Sequence, residues 1–122
     1  MFQRGIRGAI TVDDNTIDAM KDAVIDLISE IIAQNKFQTE DISNVIFTLT
    51  DDLDCIYPAK IAREHFLDWK FVPMVCFNEL KIKNSLQKCL RILITINTTL
   101  AQDEINHVYL KGAQNLREDL KK

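Results

Sequence analysis

Cys89-Leu90-Arg91-Ile92-Leu93-Ile94-Thr95-Ile96 is the stretch on which the fold turns. Its eight residues are rich in β-branched types and contain no Gly or Pro, so they read as a strand. Leu90, Ile92, Ile94 and Ile96 share one face, and Cys89, Arg91, Leu93 and Thr95 share the other. Both faces are largely apolar, which places the strand centrally in a sheet. Arg91 is the exception. Its guanidinium stays charged at any ordinary pH and requires an anion nearby, from the protein or from a ligand.

Around this strand the chain divides into alternating elements. Phe2–Val12 reads as a strand in which Gly5 and Gly8 bracket Ile6-Arg7, a sign of a bend or of close approach by a neighbour. Arg4 and Arg7 fall on opposite faces of it. Asp13-Asp14-Asn15-Thr16 supplies helix-start chemistry. Ile17, Met20, Val24, Leu27, Ile28, Ile31 and Ile32 then repeat with the helical period, and the spacing predicts a helix ending in a left-handed cap near Gln34-Asn35. Thr39-Glu40-Asp41 suits one short turn, and Val45–Thr50 a second strand. Asp51–Tyr57 is an acidic loop, and Pro58 opens a helix expected to reach Leu67. Phe71–Phe77 reads as a strand that lies at a sheet edge or leaves pairing at Pro73, which has no ladder donor to give. After the loop Asn78–Gln87 comes the strand described first. His107–Leu110 is a short last strand, and Gly112–Leu120 a short helix.

The order β-α-β-α-β-β-β describes an α+β protein with a mixed five-stranded sheet and two main helices. Residues 1–122 suit a single domain. Two helices cannot cover both faces of such a sheet. One apolar face should therefore be buried against another subunit.

Composition narrows the function. A net charge of −3 and a pI near 5.3 argue against a general nucleic-acid surface, while leaving room for a small basic pocket. No run approaches the length of a membrane span. Arg4 and Arg7 interrupt the N-terminal segment before any apolar signal core forms. Cys55, Cys76 and Cys89 are odd in number and form no Cys-x-x-Cys pair, which suits reduced thiols in the cytoplasm. His65 and His107 are the only histidines and have no paired spacing, so no metal is expected. Gly5-x-x-Gly8 is neither a phosphate loop nor a dinucleotide fingerprint.

What stands out is a set of cations in unusual places. Arg7 lies in a glycine-flanked strand, Arg91 in the most apolar one, and Lys60 and Arg63 share a helix face. Each has an ordinary reading as well. Lys60 and Arg63 suit a solvated face, Arg7 an edge position, and Arg91 a salt bridge to Glu79 or another acid. Cys76 reads better as a structural thiol than as a nucleophile, since no histidine is locally placed to activate it. Spacing alone leads to an α+β domain, oligomeric, with a site for an anionic metabolite.

Five motifs in order go further. Arg4-Gly5-Ile6-Arg7-Gly8-Ala9, Tyr57-Pro58-Ala59-Lys60 with Arg63, Val72-Pro73 and Cys76 with Glu79, Lys88-Cys89-Leu90-Arg91, and His107-Val108-Tyr109-Leu110 resemble the small trimeric AroH-class chorismate mutases across nearly the whole chain. The resemblance implies an isomerase of phenylalanine and tyrosine biosynthesis. It would convert chorismate to prephenate by a Claisen rearrangement, without a cofactor. It also implies a homotrimer forming a pseudo-α/β barrel, with active sites in clefts between subunits. Rivals on a similar scaffold are a trimeric enamine or imine deaminase and a non-catalytic ligand-binding trimer.

By that resemblance Arg91 stabilises charge on the breaking ether oxygen. Arg7 and Tyr109 bind a substrate carboxylate and a neighbouring oxygen. Glu79 accepts a hydrogen bond from the ring hydroxyl, with Cys76 close by. Tyr57 packs near the ring, Lys60 and Arg63 line the entrance, and Val75, Cys76, Phe77, Asn78 and Glu79 form a wall. Leu116 closes the set. The resemblance leads one to expect Thr where Val75 stands, Phe where Tyr57 stands and a Gly-Gly turn where Asn84-Ser85 stands. The tail after Leu116 is also shorter than in that family.

Overall fold

The structure, a computed structural model, describes residues 1–120. Five strands form one mixed sheet: β1 (Phe2–Thr11), β2 (Ile42–Leu49), β3 (Met74–Asn78), β4 (Cys89–Thr98) and β5 (Val108–Leu110). Two helices, α1 (Ile17–Gln34) and α2 (Pro58–His65), follow β1 and β2. The spatial order is β3-β2-β4-β1-β5, so the strand holding Arg91 is central and β3 is an edge. β4 runs antiparallel to β1 and β2, while β1–β5 and β2–β3 are parallel pairs.

The core lies between the sheet and the helices. From the sheet come Ile6, Ile10, Val45, Phe47, Leu90, Ile92, Ile94 and Ile96; from α1 come Met20, Ala23, Val24, Leu27, Ile28 and Ile31. Burying one such side chain stabilises the fold by about 1.5–3 kcal/mol. Thr16 caps α1, its hydroxyl accepting the Ala19 N–H at 3.2 Å. Gly8 shows why the first strand carries glycine on this side. A Cβ there would lie 2.9 Å from Ile31 Cδ1 and 3.0 Å from Ile92 Cγ2, so α1 crosses where only a hydrogen fits.

Several predicted boundaries shift. α1 does not end in a left-handed cap: Asn35 is extended (φ −130°, ψ 151°). Its side chain instead donates to the carbonyls of Ile31 and Asn106, and its Oδ1 accepts the Asn106 N–H. The buried amide thus replaces the left-handed turn and ties the helix end to the approach to β5. Ile17 and Ile32 stay partly exposed, at 47% and 38%, because they sit at the end and the margin of the apolar stripe. α2 stops at His65 and is followed by a single turn, Leu67–Trp69, that buries Trp69. β3 begins at Met74 rather than at Phe71, since Val72 N–H closes a turn on Trp69 and Pro73 has no N–H to give. β2 starts earlier than predicted, at Ile42, across an irregularity between Ile42 and Asn44. Residues 111–120 form short turns in place of a helix.

The second sheet face is also less open than expected. Ala9 and Cys89 lie on it and are buried, because Leu86, Tyr109, Ala113 and Leu116 close over them. The uncovered part lies toward β3, where Val75 is 48% and Phe77 58% exposed.

Candidate active site

Register places the candidate residues. Phe77, Thr48, Arg91, Ala9 and Tyr109 are successive partners across all five strands, a single row on the face away from the helices. Val75, Ile46, Leu93 and Arg7 make the adjacent row. Arg91 and Arg7, separate cations in the sequence, therefore share a face.

Glu79 completes this side. It follows β3, and its N–H donates to the Leu49 carbonyl at 2.7 Å, prolonging the β2–β3 ladder by one residue. Its Oε2 lies 2.8 Å from Arg91 Nε and accepts the Thr48 hydroxyl at 2.9 Å. Both charged side chains are about a quarter exposed, at 25% and 22%. The salt bridge first weighed as a rival reading of Arg91 is therefore present. It is incomplete as a hydrogen bond, because Glu79 lies off the N–H direction and Arg91 Nε has no hydrogen-bond acceptor. The Tyr109 hydroxyl is likewise buried without a partner. Buried polar atoms are nearly always hydrogen-bonded, so two exceptions on one sheet face set it apart from the rest of the described residues.

The supports of this face are local. Arg7 N–H donates to His107 Nδ1 at 2.9 Å, extending the β1–β5 pairing past the end of its backbone ladder. Asp52 accepts the Lys88 N–H through both oxygens, at 3.0 and 3.2 Å, and also bonds the Thr50 hydroxyl. Thr50 Oγ1 in turn accepts the Cys89 N–H at 3.0 Å. The start of β4 is thus pinned two residues before Arg91. Lys88 takes a left-handed backbone there (φ 46°), and so does Asn84 (φ 64°) in the turn where relatives were expected to carry glycine. Burial raises the Asp52 pKa, but the Thr50 hydroxyl and the Lys88 N–H outweigh it and leave the carboxyl below its usual range.

A second group lies at the other end of the chain's edge. Tyr57, Lys60, Cys76, Phe77 and Asn78 line a cavity of about 540 Å³ together with Leu53, Asp54 and Ile56. Tyr57 is 71% exposed, and Lys60 makes only a solvated ion pair with Glu64 at 4.0 Å. Arg63 is exposed on the same helix, near enough for its charge to act on Cys76. Cys76 faces the helix side, packed against the core. Burial pushes its thiol up, partly opposed by the Ala59 N–H and by Arg63, so it is a poor thiolate. Cys89 is raised too, by burial, with Arg91 opposing.

Within one chain the candidate residues therefore fall into two groups. Arg91, Glu79, Arg7, Tyr109 and Leu116 gather on the sheet face, with Leu116 packed in the cluster around Ala9. Tyr57, Lys60, Arg63, Cys76 and Asn78 gather beside α2. Val75 and Phe77 lie between the two groups on the edge strand. Thr48 was not singled out from sequence. A threonine in Val-Ile-Phe-Thr-Leu-Thr is ordinary strand composition, and only the β2–β4 register reveals its contact with Glu79. Among the described residues no group of three or more His, Cys, Asp and Glu is arranged to hold a metal ion.

Among the described residues, this face of the five-stranded sheet carries a paired arginine and glutamate and a buried tyrosine hydroxyl without a hydrogen bond. A family model, chorismate mutase type I, matches residues 3–120. The chorismate mutase AroH of Bacillus subtilis is 38% identical over 120 residues, covering 98% of this chain and 94% of that protein. The chorismate mutase AroH of Thermus thermophilus is 40% identical over 118 residues, covering 96% and 95%. A solved chorismate mutase from Clostridium thermocellum superposes with a TM-score of 0.85 at 40% identity, over 90% of this chain and 96% of that one. The chain belongs to the type I chorismate mutase family.

Proposed function

We propose that this chain is an isomerase that converts chorismate to prephenate, with Arg91 as the electrostatic centre of the reaction. The observation that carries the reading is the row on the sheet face. Arg91 and Tyr109 stand on either side of Ala9, each with a buried polar atom that makes no hydrogen bond, and Glu79 is ion-paired with Arg91.

The rearrangement is pericyclic. One C–O bond breaks as one C–C bond forms within a single molecule, and no atom enters or leaves. The residues need only hold the folded, diaxial conformer and stabilise the negative charge that grows on the ether oxygen. Arg91 supplies that stabilisation, and because the charge develops only at the transition state, the interaction accelerates the reaction rather than merely tightening binding. One such donor contributes about 3–4 kcal/mol. Conformational restriction supplies the rest of the about 8 kcal/mol that even a modest enzyme needs. Arg7 and Tyr109 take a substrate carboxylate and nearby oxygen, and Glu79 accepts the ring hydroxyl. Tyr57 and Leu116 pack on apolar parts of the substrate, and Val75 to Asn78 form the wall.

The division of the site within one chain supports a homotrimer. The group beside α2 of one subunit would complete the sheet-face group of its neighbour, across the exposed Val75 and Phe77. Lys60 and Arg63 would then stand at the mouth of the cleft and attract the dianion. The test is direct. Purified protein is mixed with chorismate and the loss of diene absorbance is followed. Acceleration over buffer is expected, and none would refute the activity.

A further inference from the structure

We infer that Thr48 is a positioning residue for the reaction, acting by committing one oxygen of Glu79 to the protein so that the other faces substrate. The inference rests on the reading that Glu79 contacts the ring hydroxyl. Three observations carry it. Thr48 is the register partner of Arg91 across β2–β4 and of Phe77 across β2–β3, so its side chain stands on the site face. Its hydroxyl donates to Glu79 Oε2 at 2.9 Å, the same oxygen that lies 2.8 Å from Arg91 Nε. No hydrogen bond falls on Glu79 Oε1 among the described residues.

A carboxylate on a two-carbon stem just beyond a strand end has free rotamers. Arg91 alone does not fix it, since the ion pair is off the N–H axis. The Thr48 hydroxyl is the directed contact, held on a rigid strand between two neighbours. It stops Glu79 from swinging both oxygens onto Arg91, which would neutralise the cation that the transition state uses. Thr48 therefore governs two groups at once: where Glu79 accepts, and how much of Arg91 remains for the ether oxygen.

The experiment compares kcat and KM on chorismate for wild type, Thr48→Val, Thr48→Ser, Glu79→Gln and the Thr48→Val/Glu79→Gln double variant, with thermal unfolding of each. Valine keeps the shape and removes the donor; serine keeps the donor. Thr48→Val is expected to lower kcat about tenfold or more and, since the fold also loses a hydrogen bond to a charged group, to lower Tm by a few degrees without unfolding the protein at the assay temperature. Thr48→Ser is expected within about threefold of wild type. In the Glu79→Gln background the valine change should cost little more, because the two act as a unit. If Glu79→Gln loses activity and Thr48→Val does not, the inference fails while the site stands. Losses that multiply in the double variant would also overturn it. If Glu79→Gln retains wild-type kcat, the substrate contact of Glu79 is wrong and the role of Thr48 falls with it.

Discussion

Arg91 and Tyr109 are separated by one residue of β1, Ala9, which pairs with both. They lie two strand spacings apart, roughly 10 Å, on the same sheet face. Arg91 Nε and the Tyr109 hydroxyl are the two buried side-chain atoms that lack a hydrogen-bond partner among the described residues.

An unpartnered buried hydroxyl is a cost to the free protein, about 1–3 kcal/mol. Tyr109→Phe removes it without changing shape. The free enzyme is expected to melt at the same or a higher temperature, while kcat/KM on chorismate falls about tenfold. A lower Tm would show that the hydroxyl serves the fold and not the ligand.

Charge on the edge strand should separate the subunits. Val75→Asp and Phe77→Asp each place a carboxylate on the uncovered part of the face, where burial against a partner would leave it unpaired. Sedimentation is expected to show a shift from the proposed trimer toward monomer, with mutase activity lost in parallel, as a site completed between chains requires. A monomeric variant with full activity would contradict the divided site.

Lys60 and Arg63 are exposed on α2, where the proposed function has them attract the dianion. The Lys60→Ala/Arg63→Ala variant is expected to raise KM several-fold with a smaller change in kcat. It should also flatten the dependence of kcat/KM on ionic strength between about 0.01 and 0.15 M. An unchanged salt dependence would place both cations in an ordinary solvated face.

Asp52 holds the start of β4 through Lys88 and Thr50. Its folded pKa lies below the unfolded one, so the carboxylate stabilises the fold above the usual carboxylate range, near pH 4, and that contribution disappears as pH falls through the folded pKa. Asp52→Asn is expected to cost about 1 kcal/mol at pH 7, reduced from a buried bond by solvent screening. The gap between variant and wild type should close below about pH 4. Denaturant melts at pH 7 and pH 3 check both the size and the sign.

Much of this was legible in the sequence for physical reasons. The strand at Cys89–Ile96 announced a central position by being apolar on both faces, and it is central. Pro73 pointed to an edge or to a break in pairing, and both hold: β3 is an edge and starts only after Pro73. Arg91 stood out because a fixed charge in such a strand demands an anion. What the sequence could not show was register. Thr48 and Glu79 are 31 residues apart, and nothing local ties them. The Asn35 amide looked like a left-handed cap because Asn favours that turn; its true partner, Asn106, is 71 residues away. The covering of Ala9 and Cys89 by Leu116 likewise depends on a tail with no helical or strand period. Residues whose roles arise from their own chemistry could be read directly, whereas those defined by a distant partner required the fold.

The central claim is that Arg91 stabilises charge at the transition state. Its most direct test is kcat at saturating chorismate for Arg91→Lys, with Tm measured alongside. Lysine keeps the charge but replaces a planar fork with a flexible point ammonium. The account predicts a kcat lower by about 10²–10³, with KM and Tm changed far less. A kcat near that of wild type would show that Arg91 serves only its ion pair with Glu79.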